Sequence, residues 1–257
     1  MDEGSGDDAV VLLHGFPDSS YMWRKQIPVL VEAGYRVIAP DLRGFGQPDK
    51  PAEVEAYRMR LLVGDIDAIL DSLGVQAAHV VGHDWGAGLA WAVAGFLPAR
   101  VLTLTVMAVG HPRAFQRALL TSSQGLRSWY MAFFQIRGFS ERVISRNGFS
   151  LFRKGFRSPD IDREIEALSE PGALTAGLNW YRANVRPGRG SSMPNISAPT
   201  MGIWGAKDVA LSEKQMTGSA EFVDGPFRYE RIEAGHWMML SRADEVNALL
   251  LDFLQGR

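Results

Sequence analysis

The chain of 257 residues is 46% hydrophobic and 22% charged, and its 27 basic side chains nearly balance 29 acidic ones, for a formal net charge of −2. This is the composition of a folded globular protein with one large core, or one core and a modest second domain, and it excludes a disordered chain. The absence of cysteine excludes disulfides, thiol catalysis and cysteine-ligated metals, and nucleic acid, which calls for concentrated basic charge, is not an expected partner.

In chain order, the first nine residues are acidic and glycine-rich, without the basic start and apolar run of a signal peptide. No apolar run approaches the ~20 residues of a membrane span, so a soluble, cytoplasmic protein with no membrane partner is expected. Ala9–Leu13 is a short apolar run stopping at His14-Gly15, the pattern of a buried parallel strand. Residues 36–40 form a second such run, and residues 20–31 between them can hold a helix closed by Gly34. Residues 61–73 carry apolar side chains at helical spacing up to Gly74; a strand at 77–81, a helix at 86–97 ended by Pro98 and a fourth strand at 101–109 follow. This alternation predicts an α/β protein whose parallel sheet is covered on both faces. Residues 111–199 break the rhythm with aromatic helical patches and a series of arginines (Arg113, Arg117, Arg127, Arg137, Arg142, Arg146). Strands at 200–204 and 228–232 and a terminal helix at 245–254 then resume it. The expected organisation is a core of residues 1–110 and 200–257 with a helical insertion at 111–199.

The strongest chemical signal is Val80-Val81-Gly82-His83-Asp84-Trp85-Gly86-Ala87-Gly88. A buried strand ends, the chain turns sharply and a helix begins. This is the G-x-S-x-G nucleophile elbow with Asp84 in the nucleophile's place. A carboxylate there stands at the positive end of a helix and faces any ligand; the plainer reading is that Asp84 only caps the helix. An elbow predicts an acid and then a histidine further along. Asp208 follows the strand at 200–204 and His236 the strand at 228–232, where strand ends meet ligands. Singly they could be a turn residue and a surface histidine; together, in that order, they support the elbow. His14-Gly15-Phe16-Pro17 follows the first strand, where such folds place an oxyanion donor, so the amides of Phe16 and Trp85 are the candidate pair. His14, His79, His83 and His111 are read as structural. No cluster has metal-ligand spacing, and no metal or cofactor is expected.

His14-Gly15-Phe16-Pro17-Asp18-Ser19-Ser20, Pro40-Asp41-Leu42-Arg43-Gly44-Phe45-Gly46, Gly82-His83-Asp84-Trp85-Gly86, Leu178-Asn179-Trp180-Tyr181-Arg182 and Gly235-His236-Trp237 together resemble an α/β-hydrolase, and more narrowly an epoxide hydrolase, from residue 9 to the end of the chain. The resemblance implies a mostly parallel sheet of the α/β-hydrolase type with a helical cap inserted after the fourth predicted strand. It implies opening of an epoxide to a vicinal diol through an ester on Asp84, hydrolysed by water that His236 activates while Asp208 orients the ring. In that family two cap tyrosines hold the epoxide oxygen. Of six tyrosines here only Tyr130 and Tyr181 lie in the insertion, though amphipathic packing alone could also place them there. The aromatic residues Trp129, Phe133, Phe134, Phe139 and Trp180 suggest a small apolar or aromatic epoxide, with water as co-substrate.

Two departures from the family pattern carry expectations. Only 13 residues precede His14, so the N-terminal hairpin is expected to be missing, leaving six strands and an open edge that a loop or a homodimer covers. The loop Glu233-Ala234-Gly235-His236 is one residue short, a change that could displace the imidazole and that bears on the level of activity more than on the fold. The competing functions are a haloalkane dehalogenase, which needs side-chain N–H donors for halide where this chain has Trp85 and Phe16, and a non-catalytic ligand-binding member of the fold.

Overall fold

In the computed structural model, which describes residues 1–46, 49–185 and 192–256, strands β1 (Asp2–Glu3), β2 (Ala9–Leu13), β3 (Arg36–Ile38), β4 (Ala78–His83), β5 (Val101–Met107), β6 (Thr200–Gly205) and β7 (Phe227–Ile232) form one sheet in the order β1-β3-β2-β4-β5-β6-β7. All neighbours are parallel except β1 and β3. β2 is apolar at every position because both faces of the sheet are covered. Ala9, Val11 and Leu13 enter one core with Leu70, Val80 and Trp91, whereas Val10 and Leu12 enter the other with Trp23, Ile203 and Leu250. Each such side chain contributes on the order of 1.5–3 kcal/mol by leaving water.

Helices α1 (Ile27–Glu32), α2 (Met59–Ser72) and α3 (Trp85–Phe96) connect the first strands. α3 is buried from Gly86 to Ala94, which is why it is apolar all round. Between β5 and β6 run α4 (Pro112–Thr121), α5 (Gln124–Arg127), α6 (Trp129–Phe133), α7 (Phe139–Gly155), α8 (Ile161–Ser169) and α9 (Ala173–Asn184); α10 (Glu213–Thr217), α11 (Met238–Ser241) and α12 (Ala243–Leu254) complete the fold. The only β-contact of residues 111–199 among those described is an isolated bridge, Ile196 to Val223.

Two expectations are corrected. The helix at 20–31 is a 3-10 turn (Ser20–Trp23) followed by α1, because Pro28 has no N–H to donate to the Arg24 carbonyl and instead starts a new helix. The sheet has seven strands, not six: Asp2 and Glu3 pair with Ile38 and Val37, and the Met1 amine donates to the Ala39 carbonyl at 2.8 Å, so the β3 edge is partly covered. The strand order reverses between β2 and β4, which opens a crevice at their C-terminal ends. The loops after β2, β4, β6 and β7 share that rim.

Candidate active site

Asp84 links β4 to α3 with φ 53° and ψ −121°, a conformation costly for any residue but glycine. The turn closes because neighbouring backbones nearly touch. A Cβ on Gly86 would lie 2.1 Å from the Leu13 carbonyl oxygen, and one on Gly15 would lie 2.5 Å from Asp84 Cβ. This contact brings the Phe16 N–H to 3.0 Å from Asp84 Oδ1, and the Trp85 N–H also donates to the carboxylate. The two amides named from the sequence thus converge on Asp84.

His236 Nδ1 lies 2.8 Å from Asp208 Oδ2, and Nε2 lies 3.6 Å from Asp84 Oδ2. The other Asp208 oxygen accepts from the amides of Ala210 and Leu211 at 2.8 and 2.9 Å. Burial opposes charge on all three groups, but their mutual attraction outweighs it. Both carboxyls are held below their ordinary range, and His236 is pushed up to about 10. The resting arrangement is carboxylate, imidazolium, carboxylate. The short loop before His236 does not displace the ring from Asp208.

His83 packs under His236 with ring centroids 4.5 Å apart and bonds its carbonyl through Nε2 at 3.1 Å. Burial and the His236 charge push its pKa down to about 3, so a neutral ring lies under the imidazolium. Its Nδ1 has no hydrogen-bond partner among the described residues. The other histidines make structural bonds: His14 to the Leu42 amide, His79 to Thr103, His111 to the Arg113 amide and the Pro194 carbonyl.

Tyr181 is oriented by its neighbours on α9. Trp180 Nε1 donates to the Arg43 carbonyl at 3.0 Å, while buried Arg182 bonds the Phe134 carbonyl at 2.9 Å and Glu141 at 2.7 Å. Together they turn Tyr181 toward the elbow, edge-on to Trp85 at 4.9 Å and to Phe16 at 5.7 Å. The Trp85 side chain interacts with the Tyr181 phenol in the direction that favours its ionised form, but burial outweighs it. Tyr130 on α6 lies 6.0 Å from the Tyr181 ring. Burial first, and the Asp84 charge second, push both phenols above their ordinary pKa. Asp84, Trp85, Tyr130 and Tyr181 line one cavity of about 380 Å³, whose other walls include Phe115, Leu119, Met131, Val185 and Met193.

The five aromatic residues expected to shape this cavity are not on its wall. Trp129 and Phe139 are exposed, Phe133 is half-buried, and Phe134 and Trp180 are buried behind Tyr181. Successive side chains on a helix are about 100° apart, so Tyr130 can line the cavity while Trp129 stays exposed. The apolar lining comes instead from α4, Met131 and the chain after α9.

Four further residues support the site, and their contacts are not visible in sequence order. Trp237 Nε1 donates to Asp18 Oδ2 at 3.0 Å, and Asp18 meets Glu164 of α8, whose other oxygen accepts from Ser158. Burial, with the Asp84 charge, pushes Asp18 up to about 7, and burial, with the Asp18 charge, pushes Glu164 up to about 8. Glu164 Oε2 is buried without a hydrogen-bond partner among the described residues. Gln124 bonds the Ala210 carbonyl at 3.0 Å and the Ser212 amide at 2.7 Å, and Arg127 bonds the Asp208 carbonyl at 2.8 Å. Asp18 directly follows the His14-Gly15-Phe16-Pro17 segment, but a partner 146 residues away leaves no local pattern.

Residues 8–243 match the family described as the alpha/beta hydrolase fold, and the chain belongs to that family. It is similar to AB hydrolase superfamily protein YfhM of Bacillus subtilis, at 37% identity over 96% of this chain and 90% of that protein. It is 33% identical to epoxide hydrolase A of Mycobacterium tuberculosis, over 98% and 91% of the two chains. Among solved structures, a mutant epoxide hydrolase of Bacillus megaterium complexed with its product (R)-3-[1]naphthyloxy-propane-1,2-diol superposes with a TM-score of 0.90 at 29% identity, covering 99% of this chain and 95% of that one. Within the α/β-hydrolases, the chain resembles the epoxide hydrolases.

Proposed function

We propose that this protein is an epoxide hydrolase that converts an epoxide to a vicinal diol through an ester on Asp84. The observation that carries the reading is the meeting of two protonated phenols, Tyr130 and Tyr181, with a carboxylate nucleophile on the wall of one cavity. An alkoxide is a poor leaving group, and a phenol held above its usual pKa keeps the proton it has to deliver. A carboxylate attacking carbon needs no base to strip a proton first. In the first step an Asp84 oxygen bonds to a ring carbon, the C–O bond breaks, and the departing oxygen takes a phenolic proton.

The imidazolium sets the order of events. His236 cannot act as a base while charged, and the negative Asp84 helps keep it so. Alkylation turns Asp84 into a neutral ester and removes that contribution. The proton His236 then sheds restores the phenol, leaving a neutral imidazole to take a proton from water as the water attacks the ester carbonyl. The Phe16 and Trp85 amides stabilise the resulting oxyanion, and Asp208 stabilises the imidazolium as it re-forms. Collapse of that intermediate releases the diol and regenerates the Asp84 carboxylate.

In this reading, residues 111–199 act as a cap over a core of residues 1–110 and 200–257. The apolar walls fit a small apolar or aromatic epoxide, in line with the aryl ether diol bound by the Bacillus megaterium enzyme. Against a dehalogenase, the Trp85 ring packs edge-on to Tyr181 at 4.9 Å, and Phe16 has no side-chain N–H for a halide. Against a pure binder, the Asp84, His236 and Asp208 contacts are complete. No helix among the described residues is long and apolar enough to cross a membrane.

The test is the intact mass of His236→Gln after incubation with styrene oxide. A gain equal to the whole epoxide, lost on Asp84→Asn substitution, is expected. No adduct with the epoxide, but an alkyl adduct and halide release with a 1-haloalkane, would make the protein a dehalogenase. No reaction with either would favour the binding protein.

A further inference from the structure

Of the twelve exposed large hydrophobic residues among those described, six fall between residues 112 and 157: Leu120, Leu126, Trp129, Ile136, Phe139 and Leu151, with Leu126 82% and Trp129 67% exposed. The same segment holds nine basic residues and one acidic residue, leaving 18 basic and 28 acidic residues elsewhere. The overall charge of −2 therefore conceals a strongly positive segment on a negative body. The one acid, Glu141, is turned to buried Arg182 at 2.7 Å. Arg117 and Arg153 pair with Glu221 and Asp162, while exposed Arg137, Arg142, Arg146 and Lys154 make no ion pair among the described residues.

Leu126, Trp129, Phe133 and Ile136 recur at steps of three, four and three along α5, α6 and the turn after them, which puts them on one face. Trp129 and Phe139 each lie 6.3 Å from the Phe133 ring, so the strip continues onto α7, where Arg142 stands one turn from Phe139. The reverse side of the strip carries Tyr130 and Met131 into the cavity. A patch of exposed apolar groups on a soluble protein marks an interaction site. Two copies meeting through this face about a two-fold axis would bring like charges together. An anionic bilayer complements it: bulky apolar side chains enter the headgroup boundary while arginine stems lie along it with their charges in water.

We propose that the outer face of the helical insertion is a docking surface for an anionic lipid bilayer, entered by Leu126, Trp129, Ile136 and Phe139 and held by Arg137, Arg142 and Arg146. The negative body orients the molecule with this face toward the lipid. Docking brings the outer side of the cavity wall against the phase in which apolar ligands dissolve. The assignment does not depend on which reaction the cavity performs.

The test is co-sedimentation of the full chain with vesicles of phosphatidylcholine alone or with about 30 mol% phosphatidylglycerol, at about 50 mM and 500 mM salt. Binding to the anionic vesicles alone is expected, lost at high salt. Phe139→Ser combined with Arg142→Glu is expected to weaken it at least about tenfold without changing thermal stability. Quenching of tryptophan fluorescence by brominated lipid is expected to fall in Trp129→Phe. Protein remaining in the supernatant at low salt, or a double variant that binds as the parent does, would overturn the proposal. A dimer weakened by Phe139→Ser in the absence of vesicle binding would make a second copy the occupant. None of these outcomes bears on the mass test of the reaction.

Discussion

At the sheet rim Asp84 and Asp208 are positioned by backbone, whereas in the helical insertion Tyr181 is positioned by side chains. Asp84 stands in a turn that two glycines close, and Asp208 is held by two amides of its own loop. Tyr181 faces the elbow because Trp180 and Arg182 reach out to carbonyls and a carboxylate elsewhere. A backbone-held group tolerates changes around it, while one held by long side chains moves when a single residue is lost. The rim can thus stay constant while the insertion varies, but the insertion pays for that freedom in sensitivity.

The sharpest way to break the comparison is at the nucleophile. Asp84→Ala is expected to reduce diol formation by on the order of 10⁴-fold or more, with a melting temperature within about 3 °C of the parent. Residual turnover above that level would mean that the rim does not supply the nucleophile. Tyr181→Phe is expected to slow alkylation by about 100-fold or more while changing hydrolysis of the preformed ester less than about threefold, measured by single-turnover quench. Equal slowing of both steps would place the phenol in the wrong half of the reaction.

Arg182→Met sharpens the contrast by removing a support rather than a reacting group. It leaves Glu141 without its partner and is expected to cost about 3 kcal/mol, seen as a melting temperature lower by roughly 6–10 °C. Alkylation is expected to slow while ester hydrolysis, which depends on the rim, does not. A stable variant with both steps intact would show that α9 does not need this anchor.

The smallest effect concerns the seam between the two regions. Asp18 and Glu164 have raised pKa values, about 7 and about 8, with Asp84, His236 and Asp160 as their charged neighbours. The folded state therefore binds a proton that the unfolded chain has released above about pH 4, so stability declines as pH rises toward 8. Asp84 and Asp208, both lowered, act the other way, losing their contribution as pH falls through the acid range. His236, raised to about 10, adds to the decline, because its contribution is lost progressively as pH rises from about 6.5 toward that value. Between pH 5 and pH 9 the melting temperature is expected to fall by about 5 °C, and Asp18→Asn is expected to flatten the slope. A slope unchanged in that variant would place the titrating group elsewhere.

The same division governs what could be read from the sequence. The elbow, the Phe16 loop, Asp208 and His236 are short patterns at strand ends, where chain order and packing coincide. Tyr181 is legible through the family resemblance of Asn179-Trp180-Tyr181-Arg182. The outward turn of Trp129 and Phe139 is not, since counting aromatics does not tell which face of a helix is buried. Asp18 with Glu164, and Gln124 with the loop after β6, are pairs that only the folded chain brings together. The 3-10 turn before α1 could have been foreseen from Pro28, and the cover over β3 is two residues long, too short for any periodicity.

The bonds from Gln124 and Arg127 to the loop at 208–212 also bear on how far the two regions can be treated as separate modules. Arg127 and Asp208 are 81 residues apart, so the side chain that braces the acid is encoded with the region that walls the substrate. A chimaera that gives this sheet the insertion of another hydrolase would exchange the wall and the brace together. Without counterparts of those two side chains it would inherit an intact elbow, a new cavity and a loosened acid.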